Sequence, residues 1–584
     1  MKKAIIFGLV AVAGLSLTSC DDFLNDNRYP KTSIINNPDY WSNAANCQLQ
    51  CDRYIDEFSA AYGTGGGQGW FYYKTLSDDQ VGSGFADWTY PTLMGEVSDW
   101  TYKNVRGANI IIDGIESSTL AGNERANYLA IARLIRAYSY YQLVRKFGDV
   151  VWEDFVVEPE SEILYAPRDK RDEVMDKVFA DLEYAMANIS DDHSQTTWSK
   201  DYARAIMSEV ALYEGTFCRY RTQAENGLAP NEERAKTYLA KSAAASEALL
   251  ATHGFSTDYH SIYNSLWKST ESTVKPGQMI TGLSDNPELI WGRRYDATNG
   301  RHSTISYTAS STTTSGMSLD AFKAFLFKDG KPAATTTCNT TLVGEPTTFD
   351  GNPAYSIQNL LDEREARLSI ITDPYIYYKG MEWSREGCSG MNSSSGFGIA
   401  KYDNVLLTVN ERTNSSNNST SCPIYWTSYI ALNYAEAKAE LGQFGDTEFN
   451  KSLKPLYERA GLPMVNSVAY LSNLNDPANN MGVSSLLYEI RRCRRCELMF
   501  DNWIRYWDLV RWHQLDKLDS SKNPDILRGA YAANAPVAPA SIDAEGFIRP
   551  YASTNRKYDK KYYLYPIPTG QINLNGNLSQ NPGW

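Results

Sequence analysis

The five histidines, His193, His253, His260, His302 and His513, are widely separated along the chain. No His-Glu-x-x-His pair, no Gly-x-Ser-x-Gly turn and no EF-hand loop can be read from it. The 69 Asp and Glu residues could supply the two carboxylates of a glycosidase, but no motif selects a pair. Cys47 and Cys51 lie one helical turn apart, as do Cys493 and Cys496. Two such pairs would build a four-thiolate metal site if their helices met; packed free thiols are the plainer expectation, and a disulfide within either pair would strain a helix. Calcium in the polar loops has no ligand spacing behind it. No cofactor and no bound metal are therefore expected, and the chain is read as a non-enzyme.

What remains is the chemistry of binding. The chain carries 40 Tyr, 14 Trp and 19 Phe. Aromatic side chains offer flat apolar faces, and Tyr and Trp add a polar tip. A sugar ring, with C–H groups on one face and hydroxyls around its edge, can stack on such a surface. Most aromatics belong in a core, so those in Gly-rich or polar loops are the binding candidates. Gly63-Thr64-Gly65-Gly66-Gly67-Gln68-Gly69 leads into Trp70-Phe71-Tyr72-Tyr73. It lacks the Gly-Lys-Ser/Thr ending of a phosphate loop, and no strand precedes it. A second group, Phe85, Trp88 and Tyr90, follows Gly82 and Gly84.

Helices must position these loops. The stretch from Leu486 to Trp512 contains no Gly or Pro and reads as one continuous helix of about seven turns. Leu486, Ile490, Cys493, Glu497, Phe500, Ile504 and Trp507 form its inward stripe. Glu497 in that stripe demands a partner, and helical spacing offers Arg494 to Glu497, Asp501 to Arg505 and Asp508 to Arg511. Other helices are predicted from about Ala44 to Ala61, from Glu124 to Phe147 with Asn123 as cap and Gly148 as stop, and over about 169–189, 200–220 and 232–253. Tyr434 to Gly442 with a second helix from Thr447 to Ala460 looks like one tetratricopeptide-like pair, although no constant repeat period holds along the chain. Between about 255 and 425 helical periodicity is lost, Ser306–Ser315 and Asn414–Ser421 are rich in Ser, Thr and Asn, and long loops with short strands are expected.

The chain has 584 residues, 42% of them hydrophobic, and a net charge of −13. That is ample for a large core, and it makes nucleic acid an improbable partner. Met1-Lys2-Lys3 and the apolar run Ala4–Leu17 have the shape of an export signal too short to span a bilayer. The signal ends Leu17-Thr18-Ser19-Cys20, which resembles the bacterial lipobox, in which the cysteine is acylated. More than one acyl chain gives a stable anchor.

Four stretches resemble one family. They are Ser19-Cys20-Asp21-Asp22-Phe23-Leu24 and the helix Arg133–Val150 containing Arg136-Ala137-Tyr138-Ser139-Tyr140-Tyr141 and Phe147-Gly148-Asp149. The others are Arg491-Arg492-Cys493-Arg494-Arg495-Cys496-Glu497-Leu498 with Asp508-Leu509-Val510-Arg511-Trp512, and the ending Leu564-Tyr565-Pro566-Ile567-Pro568 through Gln580-Asn581-Pro582-Gly583-Trp584. Together with Pro287-Glu288-Leu289-Ile290-Trp291 they resemble the SusD-like (RagB/SusD) family of nutrient-binding outer-membrane lipoproteins of Bacteroidetes. Departures are Arg491 for a frequent Glu, the two cysteines, and Val151 for a usual Pro.

The resemblance implies a mostly α fold: a tetratricopeptide-like helical-pair scaffold with a long loop-rich insertion containing short strands. It divides the chain into a signal peptide (1–19), a lipidated N-terminus and tether (20–45) and a single SusD-like domain (46–584). Within that domain the scaffold occupies about 46–255 and 425–515, the ligand-binding insertion 256–424 and the tail 516–584. It further implies a cell-surface lipoprotein of the outer membrane, lipidated at Cys20, which captures an oligosaccharide and delivers it to a SusC-like TonB-dependent transporter. The stacking residues expected on this reading are Trp70, Tyr72, Tyr73, Trp88 and Tyr90 in the first loops, and Trp291, Tyr295 and Trp383 in the insertion. Alternatives are a peptide ligand, a lipoprotein glycoside hydrolase acting on the same polymer, or an adaptor docking a partner through its helices.

Overall fold

The structure is a computed structural model and describes residues 37–58, 62–63, 77–82, 91–267, 282–309, 316–378, 381, 383–385, 388–391, 393–405, 407–539, 541–550 and 555–584. Helix α1 (Ala44–Asp52) starts where the Asn43 side chain accepts the Ala45 N–H. Helix α2 (Lys103–Glu116) buries Val105, Ala108, Ile111, Ile112 and Ile115, one stripe at helical spacing. Helix α3 (Gly122–Phe147) is buried on almost every side from Leu129 onward, so neighbours must cover it all round. The expected cap Asn123 lies inside this helix, and no side chain caps its start. Gly148 does close it, at φ 74° and ψ −113°, a conformation only glycine adopts cheaply.

Helices α4 (Arg171–Asn188), α5 (Lys200–Tyr220) and α6 (Glu232–Leu250) follow, with Ser199 and Asn231 capping the latter two. Consecutive members of α2 to α6 pack on one another. The close approach of α5 and α6 needs Gly215, where a Cβ would lie 2.8 Å from Leu239.

The chain then leaves the helical stack. Strand β1 (Leu289–Arg293) is the first of the short strands expected in this region, and strands β2 (Glu345–Phe349), β3 (Asn352–Ser356) and β4 (Tyr375–Ile376) form a three-stranded antiparallel sheet. Strand β5 (Cys422–Trp426) returns to pair antiparallel with β1, Trp291 facing Tyr425. The insertion also holds helices of a turn or so, among them Leu319–Lys323 and Val409–Thr413, capped by Ser318 and Thr408. Such single turns are fixed by a local cap and are too short to show a period in sequence.

Helix α7 (Thr427–Glu440) packs on α5 and α6. The helix expected over 447–460 is two pieces, α8 (Asp446–Ser452) and α9 (Lys454–Arg459), parted at Leu453 with Pro455 in the first turn of the second. That is where proline's missing N–H does no harm.

The continuous helix expected over 486–512 is likewise broken. Helix α10 (Ser485–Glu497), packed on α7, stops at Leu498, and α11 (Ile504–Arg511) begins after Trp503. Phe500, Asn502 and Trp503 between them have φ of 71°, 31° and 63°. Buried ion pairs do fix this element, but the partners come from elsewhere in the chain. Glu497 bonds Arg367 (2.9 Å) and Arg459, Asp501 bonds Lys401 (3.0 Å), and Arg505 bonds Asp78 (2.7 Å). Of the three pairs expected from local spacing only Asp508–Arg511 (2.8 Å) forms, and Glu489–Arg492 (2.6 Å) adds a local pair beyond those expected. Helix α12 (Thr569–Leu574) completes the chain. One continuous hydrophobic core takes residues from Trp41 to Leu578.

No helix among the described residues is long and apolar enough to cross a membrane. Among them too, no three His, Cys, Asp or Glu residues are grouped to hold a metal ion. Cys47 and Cys51 face the α2–α3 side of the molecule, whereas Cys493 and Cys496 lie against Arg367 and the Ala324 carbonyl.

Candidate functional site

The helical stack leaves a cleft of about 500 Å³ between α3, α5, the β5–α7 junction and the break between α10 and α11. That is within the range of small-ligand pockets. Its mouth is formed by the exposed Glu57, Ser98, Asp99 and Asn502. Tyr138, Tyr141 and Arg145, on one face of α3, supply one wall; Glu209 and Tyr213 of α5 form the floor; Tyr425 and Tyr429 stand opposite. Trp503 and Trp507 close the remaining side.

The aromatic rings brace each other. Tyr425 and Tyr429 lie parallel with centroids 5.8 Å apart, Tyr141 meets Tyr213 edge-on at 5.7 Å, and Tyr138 meets Phe58 edge-on at 5.1 Å. Arg145 is sandwiched, its guanidinium carbon 4.2 Å from the Trp507 ring centroid and 5.0 Å from that of Tyr141. Such stacking holds a cation in place without using its hydrogen-bonding edge.

Glu209 is the polar centre. Tyr425 donates its hydroxyl to Oε2 (2.5 Å), Tyr141 lies 3.5 Å from Oε1, and Arg145 approaches to 3.8 Å. Burial first, and the Glu209 carboxylate second, raise the hydroxyls of Tyr138, Tyr425 and Tyr429 above the ordinary phenol range, so all three stay protonated. The other charges at the cleft are also paired. Asp508 is held by Arg494 (2.8 Å) and Arg511 (2.8 Å), Asp99 by Lys146 (3.1 Å) and Glu57 by Lys103 (3.3 Å). The arrangement offers stacking faces, hydroxyl donors and one well-held acceptor.

Of the residues picked from sequence, Trp70, Tyr72, Tyr73, Trp88, Tyr90 and the lipidation site Cys20 lie outside the described residues. Trp383 lies on a short strand paired with Cys388–Met391. Trp291 and Tyr295 are core residues, 1% and 4% exposed, and this corrects the expectation that they present free faces. Trp291 stacks on Tyr202 at 4.2 Å and donates its indole N–H to the Thr197 carbonyl (2.9 Å); Tyr295 donates to the Tyr62 carbonyl (2.5 Å). Strand β1 is covered on both sides, its first four residues all being buried, so no side chain of that run reaches solvent.

Sequence reading passed over Tyr138, Tyr141, Glu209, Tyr425, Tyr429 and Trp503. The only signal was polar tips inside runs that otherwise read as core: three tyrosines in four residues of α3, and Glu209 within Ala205-Ile206-Met207-Ser208-Glu209-Val210-Ala211 on α5.

Comparison with known proteins agrees with the fold. The model of the "SusD family" matches residues 287–584, and one described as "Starch-binding associating with outer membrane" matches residues 87–212. A SusD-like protein of Formosa agariphila is 24% identical over 526 residues, covering 87% of this chain and 91% of that protein. Matches to two other curated SusD-like relatives span 19% and 42% of their length. A SusD-like carbohydrate-binding protein from Bacteroides fragilis superposes with a TM-score of 0.64 at 18% identity, covering 92% of this chain and 100% of that one. A laminarin-binding SusD-like protein does so at 0.53 and 16%, covering 93% and 100%.

Proposed function

This chain belongs to the SusD family, and from that premise we propose that it is a non-catalytic, lipid-anchored protein of the cell surface that captures a glycan and passes it to a SusC-like TonB-dependent transporter. The observation that carries the reading is an open cleft walled by tyrosine and tryptophan around the held Glu209 carboxylate. Stacking faces and hydroxyl donors suit a polyhydroxylated ligand. Binding is favoured over cleavage because each cleft carboxylate already has a cation or hydroxyl partner. No pair is left free to act as acid and base. Cys20 would hold the protein at the membrane. The aromatics picked from sequence, Trp70, Tyr72, Tyr73, Trp88 and Tyr90, with Trp383, remain the proposed stacking residues for the polymer.

Residues 21–584, purified without the anchor, should be retarded in native gels containing at least one polysaccharide of a broad panel that includes laminarin. Replacing Trp70, Tyr72, Tyr73, Trp88 and Tyr90 by Ala together should abolish retardation while the thermal unfolding midpoint holds. A folded protein that no polysaccharide retards would sink the glycan reading and turn the search to peptides. Release of new reducing ends from a retained polymer would instead identify a hydrolase. In cells, Cys20→Ala should move the protein out of the membrane fraction.

A further inference from the structure

We propose that the cleft beside the α10–α11 break is itself a saccharide site, and that it takes a short neutral oligosaccharide or the end of a neutral chain. The proposal rests on the surface-glycan reading for the ligand class, and on three separate observations for the site.

The first is unused hydrogen-bonding capacity. The Tyr429 hydroxyl and the Trp507 indole N–H have no hydrogen-bond partner among the described residues, yet these side chains are 5% and 6% exposed and both line the cleft. Nε of Arg145 is also buried there without a partner. Of the three only Arg145 Nε is itself buried, where an unmade hydrogen bond is costly; the other two donors stay accessible from the cleft. Three such donors around one cleft point to a ligand with hydroxyl groups.

The second is backbone conformation. Trp503 sits at φ 63° and ψ 7°, a region that a bulky side chain adopts only at an energetic cost. Asn502 and Phe500 share that handedness. Residues held this way cluster at binding sites, and here the result is a half-buried indole placed in the wall of the cleft. A flat ring at the mouth of a pocket is what a pyranose face stacks on.

The third is charge. Every carboxylate at the cleft is matched by a cation: Glu209 by Arg145, Asp508 by Arg494 and Arg511, Asp99 by Lys146 and Glu57 by Lys103. A site for uronate or sulfated sugars would hold a cation free to pair with them. Here each described cation already faces a carboxylate of this chain, Arg145 keeping one Nε donor to spare for a hydroxyl, so the site favours neutral sugars.

Titration of the mature chain (residues 21–584) with short neutral β-1,3-gluco-, malto- and xylo-oligosaccharides, and with oligogalacturonate as the acidic control, tests this by calorimetry and tryptophan fluorescence. At least one neutral series should bind and quench fluorescence, with no response to the acidic control. Tyr429→Phe removes a hydroxyl that no protein group uses, so its unfolding midpoint should match the native chain while affinity drops roughly three- to tenfold. Trp503→Ala should abolish the quench and weaken binding further. If polysaccharides retard the chain but both variants bind oligosaccharide like the native protein, the cleft assignment is overturned, and glycan capture then rests on the family membership and the aromatics at 70–90. If oligosaccharides bind and the variants weaken them while no polymer retards the chain, the cleft holds and polymer capture fails. Absence of any oligosaccharide binding, or preference for the acidic control, overturns the cleft assignment.

Discussion

Glu497 has no solvent exposure and lies between Arg367 and Arg459, which also bind Glu365 and Glu288. Burial alone would raise its carboxyl; the two guanidinium groups outweigh that and hold it below the ordinary value. Removing one partner of such a set leaves the others buried and unmatched, at a cost of about 3–5 kcal/mol. Glu497→Ala should therefore lower the unfolding free energy by that order in urea titrations, with the affinity of the folded fraction for glycan unchanged. Glu436 carries the same argument into pH. Burial again opposes its charge, but Arg511, bonded to it at 2.6 and 2.8 Å, and Arg491 bring it down from 4.5 to about 2. The unfolded chain thus binds the proton more tightly than the folded one. The contribution of Glu436 is complete above about pH 4.5 and is lost as pH falls toward 2, on the order of 3 kcal/mol. Asp501 has the opposite sign. Burial, its largest influence, lifts it from 3.8 to about 6 despite Lys401, so its contribution is complete below about 3.8 and is lost as pH rises through 6. Denaturant titrations across pH should show the acid-side slope shrink in Glu436→Gln.

The break between α10 and α11 is where element-level reasoning from sequence failed, and the cause is visible. Nothing in Leu486–Trp512 forbids a continuous helix, since it holds neither Gly nor Pro. What ends α10 is Lys401, from the distant insertion. Its ammonium donates to the carbonyls of Met499 (2.8 Å) and Glu497 (3.3 Å), and to the Asp501 carboxylate (3.0 Å). Tyr263 and Tyr402 donate to the same carboxylate at 3.0 Å. Carbonyls that an unbroken helix would satisfy internally are satisfied across elements instead, and no local pattern announces that. The helices themselves were legible because each buries a periodic apolar face. The cleft was not, because its residues come from α3, α5, β5, α7 and α11, and only packing brings them together. Trp291 misled for a related reason: a strand covered on both sides looks, in sequence, like one with a free face; Tyr295, two residues past that strand, is buried against Tyr62. Lys401→Met tests the account of the break. It should cost several kcal/mol, as loss of a buried charge partner does. It should also weaken oligosaccharide binding in the folded fraction, because Trp503 loses its support, whereas Glu497→Ala should not.

At the scale of the molecule, the two family matches cover opposite ends of the chain, residues 87–212 and 287–584, and the C-terminal tail joins them. It returns to the end of α3, where a helix leaves its last carbonyls without internal partners. The Tyr565 N–H donates to the Lys146 carbonyl (2.7 Å), and Asn581 donates to the carbonyls of Phe147 (2.9 Å) and Tyr565 (2.7 Å). Arg168, on the approach to α4, donates to Asn581 (2.9 Å). Leu564 packs over Gly148, where a Cβ would come within 3.1 Å. Farther on, Thr569 and Gly570 bond the carbonyls of Met94 and Gly95 at 3.0 and 2.8 Å, on the segment that reaches the mouth of the cleft through Ser98 and Asp99. The tail thus caps the helix that carries Tyr138, Tyr141 and Arg145, and steadies one lip of the site. Asn581→Ala should take its donor from the Tyr565 carbonyl and one bond each from the Phe147 carbonyl and Arg168, which keep other partners, lowering stability by about 1–3 kcal/mol and shifting the urea midpoint without changing its slope. Ending the chain after Lys560 should do far more. With Phe147 and the end of α3 uncovered, apolar surface from both halves is exposed together, and the protein should collect in the insoluble fraction. A truncated chain that stays soluble and elutes as a folded monomer in gel filtration would show that the tail is an accessory and that the first half holds α3 in place unaided.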